Sequence, residues 1–112
     1  MKYTYEFFKG PFNVLMIKLP KEIELVSELL ENDVHGKEWV EELDKVLNKE
    51  INCANFRGNS CDLDVKPDFT KIIHRYVEDE EYTCEIETIE LKNLMLVWLT
   101  EYENDLQNRN LN

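Results

Sequence analysis

Apolar residues keep two different periods along this chain. From Pro20 to Asn32, Ile23, Val26, Leu29 and Leu30 recur at helical spacing, with Pro20 at the start, where its missing N–H costs nothing. Gly36 interrupts the pattern, and Trp39, Val40, Leu43, Val46 and Leu47 then form a second stripe over Lys37–Asn48. The two segments read as an αα-hairpin, with Glu41 and Lys45 placed for a solvent-facing i,i+4 pair. From Glu50 the period falls to two. Strands are predicted over 51–56, 61–66, 70–77 and 82–88, divided by the Gly58-Asn59 turn, by Pro67-Asp68 and by an acidic run at 78–81. Such short separations predict an antiparallel meander. Helical spacing returns after Thr88, which is placed as an N-cap, through Ile89, Leu91, Leu94, Met95, Trp98, Leu99 and Tyr102.

At the N-terminal end, "YTYEFF" (3–8) reads as a strand, while "FNVLMIKL" (12–19) fits either a buried strand or a helical turn. Gly10-Pro11 between them allows a hairpin. Together the elements predict one α+β domain over residues 1–112. It has an antiparallel sheet of about four to five strands, with the αα-hairpin and the C-terminal helix packed on one face.

Charge changes what this layout can do. There are 24 Asp and Glu against 13 Lys and Arg, a formal net charge of −11. Such a field repels nucleic acid and anionic membrane and steers basic partners toward the surface, so direct nucleic-acid binding is excluded first. The acids are unevenly spread. Residues 1–61 carry eleven acids and eight bases, whereas residues 62–105 carry thirteen acids and four bases. No apolar run reaches the length of a membrane span, and MKYTYEFF lacks the plan of a signal peptide. Three cysteines without C-x-x-C spacing (Cys53, Cys61 and Cys84) read as buried free thiols in a reducing cytoplasm.

Strand alternation aims the acids. Asp62 and Asp64 share one face of their strand while Cys61, Leu63 and Val65 share the other; Glu85 and Glu87 likewise oppose Cys84 and Ile86. Adding the run Glu78, Asp79, Glu80 and Glu81, with Tyr76 and Tyr82 as flanking aromatic anchors, defines a candidate partner-binding surface on the helix-free side. His74 and Arg75, just before that run, read as its neutralising cations.

Other chemistries fit less well. The His and Cys residues lack metal-pair spacing, and "DLDVKPD" (62–68) lacks the glycine and closing glutamate of a calcium loop. A Cys84–His74 dyad is conceivable across paired strands, but parity sends Cys84 to the core. There is no phosphate-binding or nucleophile-elbow motif. The reading is a non-enzymatic binding protein without cofactor or metal.

The closing stretch "YTCEIETIELKNLMLVWLTEYENDL" and the overall acidic α+β layout resemble the cytoplasmic immunity proteins of bacterial polymorphic toxin systems, including contact-dependent growth inhibition. That resemblance implies neutralisation of a cognate basic toxin, a nuclease domain in the usual case, by one-to-one binding. The competing expectations are a nucleic-acid mimic that inhibits a phage-defence or DNA-binding protein, a small enzyme or metal protein, and a subunit of a larger assembly.

Overall fold

A computed structural model describes residues 1–74 and 82–110. The order is β1 (Glu6–Lys9), β2 (Leu15–Lys18), α1 (Glu24–Asn32), α2 (Glu38–Leu47), β3 (Ala54–Arg57), β4 (Cys61–Val65), β5 (Phe69–His74), β6 (Thr83–Glu87) and α3 (Thr88–Asn110). Short 3-10 turns occupy Pro11–Asn13 and Lys21–Ile23. The fold is α+β, as the two periods predict. The strands divide between two antiparallel sheets: a four-stranded meander in the order β3-β4-β5-β6, and a separate β1-β2 hairpin.

Each helix buries most of the stripe its sequence marks, although Ile89, counted in the α3 stripe, is 49% exposed. Val26, Leu29 and Leu30 from α1, Val40, Leu43 and Val46 from α2, and Leu91, Leu94, Met95 and Trp98 from α3 are buried. They meet Leu63, Val65, Ile72 and Ile86 from the inner face of the meander. Each fully buried large apolar side chain contributes about 1.5–3 kcal/mol of transfer free energy. Trp98 also donates its indole N–H to the Val34 carbonyl at 2.7 Å, which fixes α3 against the α1–α2 connection.

Four local expectations are corrected. Strand β3 starts at Ala54, not at residue 51, because the end of α2 consumes the preceding backbone. Lys49 adopts a left-handed conformation (φ 63°), and the Glu50 N–H bonds the Lys45 carbonyl while Lys49 N–H bonds Val46, the Schellman closure of a helix. Cys53 therefore lies outside the alternation and is exposed, while Cys61 and Cys84 are buried. Lys45 pairs with Glu42 at 3.0 Å, three residues away, since either neighbour on the helix surface is within reach. Thr88 is itself the first helical residue. Its buried hydroxyl donates to the Lys66 carbonyl at 2.6 Å and lies 2.8 Å from the Thr70 hydroxyl, pinning the start of α3 to the sheet.

The ambiguous segment 12–19 resolves into a turn followed by a strand. Phe12 and Asn13 both take left-handed backbone (φ 59° and 61°), which reverses the chain before β2 begins. Asn tolerates that region. Phenylalanine does so at a cost of about 1–2 kcal/mol, because its Cβ crowds the following carbonyl.

Candidate functional site

The helix-free face of the meander carries the acids whose direction alternation fixes. In β4, Cys61, Leu63 and Val65 are buried while Asp62 and Asp64 are half-buried on the opposite side. In β6, Cys84 and Ile86 are buried and Glu85 is exposed. The register sets these side chains in cross-strand rows. One row runs Arg57, Asp62, Ile73, Thr83; the next runs Asn55, Asp64, Lys71, Glu85; a third pairs Phe69 with Glu87. The structure thus brings Asp62, Asp64, Glu85 and Glu87 onto one face. Tyr76, Glu78, Asp79, Glu80 and Glu81 lie outside the described residues, as does Arg75.

Sequence reasoning missed the cations in these rows. Lys71 stands between Asp64 and Glu85, and Arg57 stands opposite Asp62. Opposed charges across paired strands stabilise by about 0.2–1 kcal/mol per pair, so the face partly answers its own charge. The signal was present in the strand parity of Arg57 and Lys71, which places them with the acids. Phe69 adds an exposed ring to the same face, also readable from parity.

Glu87 has a structural job. Its carboxylate accepts hydrogen bonds from the Lys2 ammonium and, at 2.6 Å, from the Tyr3 hydroxyl. These bonds, led by that from Lys2, hold the Glu87 carboxyl down at about 2. The Tyr3 hydroxyl is pushed up chiefly by its own hydrogen bond to Glu87. Glu87 therefore ties the N-terminal residues to the end of the sheet. His74 Nε2 lies 3.0 Å from a Glu28 carboxylate oxygen on α1, while the acidic run it was expected to neutralise lies outside the described residues.

Tyr82 is 52% exposed, which places it outside the core, with its ring edge-on to His74 at 6.1 Å between centroids. It borders a groove of about 800 Å³ that runs along α1, lined by Phe8, Met16, Leu25, Glu28, Glu31 and Cys84 among others. Glu31 accepts the Ile17 N–H at 2.9 Å; burial pushes its carboxyl above the usual range. Burial also pushes the Cys61 and Cys84 thiols up to about 11, so neither supplies a thiolate near neutral pH. Among the described residues no three His, Cys, Asp or Glu side chains gather as metal ligands. No helix among them is long and apolar enough to cross a membrane.

One acid the sequence did not single out sits elsewhere. Asp33, 8% exposed, follows α1 and accepts the backbone N–H groups of Asn59 (2.8 Å), Ser60 (3.0 Å) and Cys61 (3.1 Å), together with the Ser60 hydroxyl (3.1 Å). Gly58 makes room for it: a Cβ there would lie 2.4 Å from the carboxylate. The only sequence signal is position, since an acid at the negative end of a helix needs donors from another segment.

An immunity protein of Bacillus cereus is 38% identical over 101 residues, spanning 88% of this chain and 86% of that protein. No protein-family model matches the chain. No solved structure matches it.

Proposed function

This chain belongs to the family of that immunity protein, and from that premise we propose that it neutralises a cognate toxin by direct protein–protein binding. The family relationship, 38% identity across most of both chains, is the observation that carries the reading. The toxin is basic, a nuclease domain encoded by the adjacent reading frame, and it meets the open face of the meander in the cytoplasm. Support for this face comes from exposed Glu85, from half-buried Asp62 and Asp64 beside it, and from an overall charge of −11. The charge steers a basic partner at a rate that falls with salt, over a Debye length of about 8 Å at physiological ionic strength.

The interleaving of Arg57 and Lys71 with the acids favours this reading over a nucleic-acid mimic. A mimic of a phosphate backbone needs an unbroken negative track, whereas alternating rows suit a protein surface with charges of both signs.

The test reverses Asp64 and Glu85 to Lys together, leaving Glu87 in its structural role. Truncating an acid desolvated against a toxin cation costs about 2–5 kcal/mol, so the double reversal should weaken toxin binding at least about 100-fold and abolish protection. Its circular dichroism should match the parent. Unchanged affinity for the toxin domain would remove the open face from the contact.

A further inference from the structure

The tip of the β1–β2 hairpin combines three features that the open face does not explain. Phe12 is 96% exposed, so its ring packs on almost nothing in this chain. Its backbone is left-handed, a conformation for which a bulky aromatic is among the worst choices. The hairpin is nonetheless held in place: Lys9 pairs with Asp105 on α3, and Arg109, itself bonded to Asp105 at 2.9 Å, donates to the Asn13 carbonyl beside Phe12. A residue that gains nothing from packing and strains its own backbone is unfavourable for folding alone. Strain of this kind is found where the surroundings over-determine it, above all at ligand clamps and other functional positions.

We propose that Phe12 is an anchor that inserts into an apolar pocket on the cognate toxin, a contact additional to the sheet-face acids and resting on the immunity reading above. The surface around it is continuous with that role. Val14, beside the turn, is 49% exposed, and Phe8, 43% exposed, stands directly across from Met16 on the outward face of the hairpin. Phe8 and Met16 also line the groove along α1, together with Tyr82 and Glu28. An aromatic tip, an apolar ridge and a groove bearing Glu22, Glu24, Glu28 and Glu31 with Lys18 and Lys21 form a footprint matched to a basic protein surface. A rigid, already positioned aromatic loses little entropy on docking, which is what makes such residues effective at interfaces.

Two variants test this, with the purified toxin domain of the adjacent reading frame, inactivated at its own catalytic site, as the probe. Phe12→Gly removes the ring and relieves the backbone; Phe12→Ala removes the ring and keeps a Cβ. Phe12→Gly should raise the melting temperature by about 4 °C, as relief of strain does in a domain this small, while weakening toxin binding at least about 30-fold. Phe12→Ala should weaken binding equally with a smaller thermal gain. Stability and affinity moving in opposite directions is the signature of an anchor, since a merely structural residue would lower both.

A fall in melting temperature for Phe12→Gly, or full affinity in both variants, overturns the proposal. So does a free chain that self-associates and becomes monomeric on Phe12→Gly, because the ring then serves a second copy of this chain. Full affinity in the Phe12 variants with loss in the Asp64/Glu85 reversal would sink the anchor and leave the immunity reading standing. No binding by the unaltered chain would sink both.

Discussion

Asp33 and Glu85 are both acids in a strongly acidic chain, and their surroundings are opposite. Asp33 is buried at the end of α1, and three consecutive backbone N–H groups and a hydroxyl from the β3–β4 turn converge on it. Glu85 stands exposed on the sheet, facing Lys71 across a strand pair, with solvent as its main surrounding. The first acid joins two segments of the fold that are 26 to 28 residues apart. The second leaves the fold nearly indifferent to its charge. Acidity in this protein therefore divides into carboxylates that the structure consumes and carboxylates that it displays, and only the displayed ones are free to meet a partner.

The largest effect should come from the consumed side. Asp33→Ala leaves several buried N–H groups without an acceptor, each loss worth about 1–3 kcal/mol, so unfolding free energy should fall by about 3 kcal/mol or more in urea titration. A loss below about 1 kcal/mol would show that water replaces the carboxylate and that the cradle is incidental. Glu87 lies between the two classes, on the displayed face but bonded to Lys2 and Tyr3. Its folded-state carboxyl is depressed to about 2 from an ordinary 4.5, so the unfolded chain binds its proton first as pH falls. That contribution to stability is complete above about 4.5 and is lost between there and about 2. In Glu87→Gln the acid limb of the stability profile should be shallower over this window; an identical limb would return Glu87 to the displayed class. The smallest effect belongs to Glu85→Gln, which should change unfolding free energy by no more than about 0.5 kcal/mol in the same titration. A larger loss would mean that the row with Lys71 is structural too.

How much of this was legible in the chain follows from the range of each interaction. The strand over Cys61–Val65 was readable because alternation is local: its burial follows the sequence residue by residue. The helical stripes were readable for the same reason. Strand β3 was misplaced at its start because the left-handed Lys49 closes α2 where glycine is the usual signal. The Asp33 cradle was invisible because its donors are backbone groups of a distant turn, and backbone carries no sequence mark. For the candidate surface, parity gave the direction of Asp62, Asp64, Glu85 and Glu87, while the attention paid to acids hid Lys71 and Arg57 in the same rows. Phe12 was passed over because an aromatic in a short apolar run reads as part of a strand; only backbone geometry separates it from its neighbours.

Every neighbouring pair in the meander is also consecutive in the chain, so the sheet closes through local loops whose entropic cost is low. The hairpin is different. Its bonds to the C-terminal helix join Lys9 to Asp105 and Asn13 to Arg109, in each case across 96 residues. Closing a span that long costs more chain entropy than closing any turn of the meander. The element that presents Phe12 is thus fastened by contacts of longer range than any strand pairing in the meander, and its working geometry depends on the rest of the scaffold.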